Sequence, residues 1–134
     1  MGAEDNVKTI QAVYEAFARA DVAVILDSVT DDVDWATDTS STAAPWYGPH
    51  HGKPGVTEFF QAFGSSMTVQ RFEPVSFASN GTEVHTVVRL TSTRTANGRV
   101  AEMNLHHWFQ FRDGKIAYYR GTEDTSQTEA IFRD

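Results

Sequence analysis

The sequence contains no cysteine among its 134 residues. Disulfides, thiolate nucleophiles and zinc sites built from cysteine are therefore excluded. Basic residues are also scarce, because 11 Lys and Arg stand against 18 Asp and Glu, which gives a formal net charge of −7. Nucleic acids and anionic membrane surfaces bind positively charged patches, so we expect neither of them as a partner.

Long hydrophobic runs are missing as well, and we expect no leader segment. The opening MGAEDNVKTI has neither the basic nor the apolar region of a secretory signal, and no later run approaches the length of a membrane span. We therefore expect a cytoplasmic protein. The composition, 40% hydrophobic and 12% aromatic, is typical of one globular domain over residues 1–134.

The first half of the chain carries apolar residues at helical spacing. This pattern predicts helices over 6–20, 22–30 and 55–66. A short strand is expected at 33–37, where polar and apolar residues alternate. The loop that follows, 38–54, is rich in Ser, Thr, Pro and Gly, and a loop of this length inside a compact domain is more often functional than idle.

The second half of the chain has the pattern of strands joined by tight turns. Asn80-Gly81, Asn97-Gly98 and Asp113-Gly114 each signal a two-residue hairpin turn of type I′. These turns predict an antiparallel meander of four strands, over roughly 74–79, 82–94, 99–111 and 115–124. Because helices come first and a run of strands follows, we predict an α+β fold with three N-terminal helices packed on a curved antiparallel sheet.

The predicted turns also determine which side chains share a face of the sheet. All three place the same apolar set on one inner face: Val75, Phe77, Val84, Val88, Leu90, Met103, Leu105, Phe109, Phe111, Ile116 and Tyr118. Successive side chains of a strand point to opposite faces, so of the adjacent pair His106 and His107 only His107 faces inward. Arg120 and Asp124 are predicted on the same inner face.

We predict a lined cavity rather than a solid core, because this apolar face carries three polar side chains: His107, Arg120 and Asp124. The alternative is a structural network, with His107 hydrogen-bonded in the core and Arg120 paired with Asp124. On the opposite face, aromatic side chains form an exposed patch, which predicts a homodimer interface. The members of this patch are Val87, Trp108 and Tyr119.

Four segments, in this order, resemble the SnoaL-like branch of the nuclear transport factor 2-like (ketosteroid isomerase-like) superfamily. They are IQAVYEAFARAD, TDDVDW, YGPHHGKPGVTEFF and FQFRDGKIAYYR, the last followed by Asp124. The resemblance spans nearly the whole chain. It implies a cone-shaped α+β barrel that holds a small, mostly apolar or aromatic molecule without a cofactor, commonly as a dimer.

Some of the family's catalytic residues have counterparts at the matching positions of this sequence. Thr37 stands where ketosteroid isomerases have their carboxylate base, and Tyr14 lies one position from their helix-one tyrosine. His107 matches their second acid, and Asp124 matches the acidic residue of polyketide-cyclase-like members. The resemblance thus implies Asp124 or His107 as the proton shuttle, and we predict that Arg120, expected on the same face, polarises the substrate.

Aromatic residues dominate the predicted ligand contacts. The residues expected to contact the ligand are Tyr14, Phe17, Trp35, Trp46, Tyr47, Phe59, Phe63, Val88, Leu105, Phe109 and Tyr118. The adjacent His50 and His51 have no carboxylate at a useful spacing, so no metal is expected. The predicted function is binding of a small apolar or aromatic molecule, with cyclase, isomerase or dehydratase chemistry in a catalytic version. A noncatalytic binding or dimerising domain is the alternative.

Overall fold

The order of helices and strands in the computed structural model, which describes residues 2–133, is that of an α+β fold. The elements are α1 (Ala3–Ala18), α2 (Val22–Asp27), β1 (Val29–Thr37), β2 (Pro49–His51), α3 (Gly52–Ser66), β3 (Met67–Ser79), β4 (Glu83–Arg94), β5 (Val100–Arg112), β6 (Lys115–Thr122) and α4 (Thr125–Ile131). Within residues 2–133, no helix is both long enough and apolar enough to cross a membrane.

All six strands belong to one curved sheet, in the order β2-β1-β6-β5-β4-β3. Neighbouring strands are antiparallel except β1 and β6, which run parallel. The three N-terminal helices pack on one face of this sheet, with α1 against β3 and β4 and α3 against β1. The predicted α+β architecture is thus confirmed. Strands β3 to β6, which follow one another in the sequence, form the predicted meander.

The core fills the space between the helices and the inner face of the sheet. Ile10 of α1, Val33 of β1, Val56 of α3 and Phe109 of β5 are all almost completely buried in it. Helical spacing on α1 and α3 and alternation on the strands bring these side chains together. Burial of their apolar surface is the main favourable contribution to stability.

The three hairpins differ in their turns. At Asp113-Gly114 both residues have positive φ (52° and 78°), as a type I′ turn requires. At the other two sites the Asn side chain forms a local turn of its own. Asn80 Oδ1 accepts from the backbone N–H of residues 82 and 83, and Asn97 Oδ1 accepts from that of residue 99. These hydrogen bonds favour four-residue loops over the predicted two-residue turns.

Longer loops shift the strand pairing by two positions relative to the prediction. Thr86 pairs with His107 and Val88 with Leu105, whereas two-residue turns would have paired Val88 with His107. Because the side-chain period of a strand is two residues, a shift of two leaves every side chain on its predicted face. The predicted inner face of β4 and β5 is therefore correct although the register is not.

A β-bulge in β3 overturns one inner-face prediction. Pro74 pairs with Val88 and Ser76 with Val87, so Val75 is the extra residue between them. Val75 is 44% exposed, and the prediction that it faces the core is wrong. Proline has no backbone N–H for the ladder, and bulges are among the few places where a sheet accepts it.

A second bulge, in β6, has larger consequences. Phe111 pairs with Ile116 as predicted, but Phe109 pairs with Tyr119 rather than with Tyr118, because Ala117 is an extra residue on β6. An extra residue reverses the alternation of the rest of the strand. Beyond Ala117, every inward prediction for β6 is therefore reversed.

The reversal exchanges the residues on the two faces of β6. Tyr119 and Gly121 now lie on the inner face, where Gly121 pairs with His107. Tyr118 and Arg120 lie on the outer face, opposite residues 110 and 108. The predictions that Tyr118 and Arg120 face inward, and that Tyr119 belongs to the outer patch, are wrong. The acidic residue that follows on the inner side is Glu123.

A candidate ligand cavity between the helices and the sheet

A cavity of about 90 Å³ lies between α1, α3 and the inner face of the sheet. Its wall is mostly aromatic and aliphatic. The main members are Phe17, Trp35, Phe59, Phe60, Phe63, Phe72, Leu90, Met103 and Leu105. Typical ligand pockets occupy roughly 300–1,000 Å³, so a molecule larger than a few atoms needs some of these side chains to move.

Close ring packing gives the wall its shape. The Trp35 ring stacks on the Tyr119 ring with centroids 4.1 Å apart, and Phe59 meets Trp35 edge-on at 5.8 Å. Phe17 and Phe72 lie 4.9 Å apart on the opposite side. Flat faces and ring edges of this kind suit a planar, apolar molecule.

One group of polar side chains in the wall, here called the histidine cluster, consists of Tyr14, Thr86 and His107. The Tyr14 hydroxyl lies 2.6 Å from Thr86 Oγ1 and 2.7 Å from His107 Nδ1. Strand pairing places Thr86 directly opposite His107, and helical periodicity turns Tyr14 of α1 toward both. Three neighbouring elements thus contribute one group each.

All three side chains of the histidine cluster are uncharged at neutral pH. Burial, and to a lesser degree the charge of neighbouring His106, lowers the pKa of His107 to about 3. Part of the ring borders the cavity, but protein atoms surround the rest. Burial also raises the pKa of the Tyr14 hydroxyl well above its usual value, against a smaller opposing effect of its hydrogen bond with Thr86.

Tyr119 adds a hydroxyl beside His107, with ring centroids 5.3 Å apart. Burial, followed by the charges of Tyr14 and Glu123, raises the pKa of Tyr119 well above its usual value, so the phenol stays protonated. A β-carbon at Gly121 would overlap the Tyr119 hydroxyl and lie 3.4 Å from His107 Cδ2. Glycine at this position is what lets the phenol lie against β6 next to the imidazole.

A second polar group in the wall, the carboxylate cluster, is centred on Glu123. Its Oε2 accepts hydrogen bonds from the Tyr47 hydroxyl (2.8 Å) and the Thr128 hydroxyl (2.6 Å). Its Oε1 accepts one long contact of 3.5 Å from Trp46 Nε1. Glu123 thus connects the loop between β1 and β2 to α4, and one of its oxygens keeps spare capacity as an acceptor.

The sequence matches the SnoaL-like domain family over residues 10–119. This chain belongs to that family. No curated protein matches it. Solved structures with the same fold include an NTF2-like protein of unknown function from Burkholderia pseudomallei K96243, with 23% identity, a TM-score of 0.89 and coverage of 97% of this chain and 98% of the other.

Two further solved structures resemble this SnoaL-like domain. TerC, co-crystallised with polyporic acid, has 23% identity and a TM-score of 0.84, and the match covers 97% of this chain and 99% of TerC. An LEH-like epoxide hydrolase from M. tuberculosis has 13% identity and a TM-score of 0.75, over 97% of this chain and 90% of the other. At such identities the likeness is one of fold.

Two of the three predicted catalytic residues of this SnoaL-like domain lie outside the cavity. Arg120 is on the outer face, with Nη1 3.0 Å from Asp34 Oδ1 and its guanidinium 4.3 Å from the centre of the Tyr118 ring. Asp124 is exposed and caps α4, and hydrogen bonds from Ser126 and then Gln127 lower the pKa of its carboxyl group. The β6 bulge explains why both lie outside, because it reverses the alternation of side chains and turns Glu123 inward instead of Arg120 and Asp124.

Most of the predicted ligand contacts lie in the cavity wall of the SnoaL-like domain. Eight of them do so: Tyr14, Phe17, Trp35, Trp46, Phe59, Phe63, Leu105 and Phe109. Of the other three, Val88 is fully buried in the core, Tyr47 binds Glu123 beside the cavity, and Tyr118 is on the outer face. His107, the remaining predicted catalytic residue, lines the cavity.

Sequence reasoning missed Tyr119, Glu123 and helix α4. The helix had a recognisable signal, because Asp124 followed by Gln127 three residues later is a typical helix start, and Asp124 does accept from the Gln127 backbone N–H. The bulge had none, since two adjacent tyrosines fit either face. Of the histidine pair in the loop, His50 contacts the Trp46 carbonyl at 2.9 Å. In the described part of the chain, no three His, Asp or Glu side chains are grouped to hold a metal.

Proposed function

We propose that this SnoaL-like domain binds a small, mostly apolar molecule in the cavity between its helices and its sheet. One observation carries the proposal: His107 and Tyr119 line an apolar cavity, and neither His107 Nε2 nor the Tyr119 hydroxyl has a hydrogen-bond partner among residues 2–133. A few polar groups in a mostly apolar pocket typically determine how its ligand is oriented. A polar atom on a bound molecule would pair with these two groups and fix the molecule's orientation.

The cavity wall supports a planar, aromatic ligand. Trp35, Phe59 and Phe60 contribute aromatic rings to the wall, and contacts between aromatic rings contribute roughly 0.5–1.5 kcal/mol beyond area burial. The small volume of the cavity means that the aromatic side chains rearrange around the ligand. TerC, which has the same fold and was crystallised with polyporic acid, supports binding of a small molecule.

Binding can be tested with small aromatic fragments followed by NMR of labelled protein. We expect signals of His107 and Tyr119 to shift with a saturable dependence on fragment concentration. Leu90→Phe adds bulk at the cavity wall and should abolish these shifts. Arg89→Phe, the same new side chain on the exposed face of the same strand, should preserve them. Shifts that survive in Leu90→Phe, or a fragment set that never perturbs His107, would overturn the proposal.

A second candidate function, cofactor-free proton transfer of the cyclase, isomerase or dehydratase type, is favoured by Glu123. Its Oε1 accepts a single long contact of 3.5 Å, so it can accept a proton from a bound carbon acid. His107 and Tyr119 in the same cavity would then stabilise the charge that develops on the ligand oxygen. Arg120 and Asp124 have no part in this version, because both lie outside the cavity.

Proton transfer can be tested by deuterium exchange into a bound ketone in D₂O. We expect the protein to accelerate exchange at the carbon next to the carbonyl, and Glu123→Gln to remove the acceleration. Asp124→Asn retains a capping side chain on α4 and is the matched control with exchange unchanged. Binding without any acceleration would leave the protein a noncatalytic binder.

We propose that the outer face of the sheet binds a second copy of this chain. Trp108 is half-buried there, 5.2 Å from the Tyr118 ring, with Nε1 donating to Glu83 at 2.8 Å. Val87 lies beside them, and Tyr118 takes the position first predicted for Tyr119. Light scattering should give twice the mass of the chain, and Val87→Lys should halve it. A monomeric wild-type protein would overturn this interface.

A further inference from the structure

The histidine cluster is a short chain of hydrogen bonds that ends at the cavity. Thr86 Oγ1 is 2.6 Å from the Tyr14 hydroxyl, which is 2.7 Å from His107 Nδ1. Thr86 and Tyr14 are only 3% and 7% exposed. Their hydroxyls have no other partner among the described residues. The positions of the hydrogens can therefore be deduced by counting donors and acceptors.

Two arrangements of hydrogens satisfy the geometry. In the first, Thr86 donates to Tyr14, Tyr14 donates to Nδ1 of His107, and the imidazole carries its proton on Nε2. In the second, Nδ1 donates to Tyr14, Tyr14 donates to Thr86, and the Thr86 hydroxyl proton has no acceptor. Because Thr86 is buried, the second arrangement incurs the cost of an unsatisfied donor. In the first, the donor without an acceptor among residues 2–133 is the Nε2 proton of His107, which borders the cavity, where a bound molecule can accept it. The first arrangement is therefore favoured.

We propose that Thr86 and Tyr14 hold His107 in the tautomer with the proton on Nε2, so that the cavity selects ligands that carry an acceptor oxygen. This inference rests on the proposed binding function and names its ligand class: a carbonyl compound, an enolate or a phenolate. His107 then contacts the ligand as a donor and not as a base. Thr86 and Tyr14 are positioning residues that act through it.

Tyr119 strengthens the same selection. Its protonated hydroxyl lies next to the His107 ring and, like Nε2, has no acceptor within residues 2–133. Two donors side by side fit one oxygen with two lone pairs, which is the arrangement of an oxyanion site. A ligand whose polar group can only donate, such as an ammonium or an indole N–H, would instead place donor against donor at the Nε2 proton.

The tautomer can be measured without any ligand, by ¹⁵N NMR of histidine-labelled protein. We expect the His107 signals to show a protonated Nε2 and an unprotonated, hydrogen-bond-accepting Nδ1 between pH 5 and pH 8. Tyr14→Phe removes the donor to Nδ1 and should give a mixture of tautomers. Tyr118→Phe makes the same change on the outer face of the sheet, away from the histidine cluster, and should leave the tautomer unchanged. A proton on Nδ1 in the wild type would overturn the inference.

Ligand selection can be measured with two probes of nearly the same shape, acetophenone and isopropylbenzene. We expect acetophenone to bind about tenfold more tightly, the effect of one good hydrogen bond. Tyr14→Phe should reduce this preference, whereas Tyr118→Phe on the outer face should preserve it. If both probes bind equally well, the selection for an acceptor is wrong while the binding function stands. If neither binds while Nε2 is protonated, the proposed binding function fails and the tautomer assignment stands.

Discussion

The two polar clusters in the cavity wall use opposite chemistry. The histidine cluster is uncharged, and it ends in an atom without a protein partner. The carboxylate cluster is built around an anion whose Oε2 already accepts two short hydrogen bonds. The first can recognise a ligand because it has an open donor. The second mainly holds chain segments together, since Tyr47, Glu123 and Thr128 come from a loop, a strand end and a helix.

The largest expected effect is that of removing the carboxylate. Glu123→Ala leaves the hydroxyls of Tyr47 and Thr128 and the Trp46 N–H without their acceptor, and Thr128 is only 1% exposed. Hydrogen bonds to a charged group contribute roughly 1.5–3 kcal/mol each, so we expect the free energy of unfolding to fall by about 3 kcal/mol. Urea denaturation measures it.

Asp124→Ala is the neighbouring control, because that carboxylate is exposed and only caps α4. Its loss of stability should be clearly smaller than that of Glu123→Ala. Equal losses would mean that the carboxylate cluster does not hold the loop to α4, and the contrast between the two clusters would disappear.

Removing one hydroxyl from the histidine cluster should have the next largest effect. Tyr14→Phe leaves the Thr86 hydroxyl and His107 Nδ1 without a partner. We expect a loss of about 2 kcal/mol in the free energy of unfolding, measured by the same denaturation. Tyr118→Phe makes the same change on the outer face and should cost less than about 0.5 kcal/mol. If the free energy of unfolding of Tyr14→Phe falls by no more than that of Tyr118→Phe, the hydrogen bonds of the histidine cluster do not form in solution.

The pH dependence of the free energy of unfolding tests whether the histidine cluster is uncharged. His107 has a pKa of about 3 in the folded protein and about 6.5 when unfolded. Between pH 3 and pH 6.5 the unfolded state binds one more proton than the folded state. The contribution of His107 to the free energy of unfolding is therefore complete above pH 6.5 and decreases as the pH falls toward 3. The slope is about 1.4 kcal/mol per pH unit.

The control for this slope is a second histidine. His107→Gln should remove that part of the pH dependence, whereas His85→Gln, an exposed position, should retain it. If the wild type and His107→Gln have parallel pH profiles, His107 is not held neutral, and the uncharged character of its cluster is wrong.

The histidine cluster and the carboxylate cluster also differ in how far the sequence predicts them. The face of His107 followed from alternation alone, because the turn errors shifted β4 against β5 by two positions and preserved every face. The face of Glu123 depended on a one-residue bulge at Ala117, and a shift of one reverses every side chain after it. No local propensity marks that bulge, since Ala-Tyr-Tyr-Arg suits either alternation. The histidine cluster was thus predictable in part, whereas the carboxylate cluster was not.

The smallest expected effect belongs to a residue first assigned to catalysis. Arg120 pairs with Asp34 at 3.0 Å on the outer face, and the Asp34 side chain is 54% exposed. Ion pairs of this kind contribute roughly 0–1 kcal/mol, so Arg120→Met, which keeps an apolar stem near the Tyr118 ring, should lower the free energy of unfolding by less than about 1 kcal/mol. Fragment affinity and the His107 tautomer should not change. A tenfold loss of fragment affinity would mean that Arg120 reaches the ligand after all, which requires the alternation of β6 without its bulge.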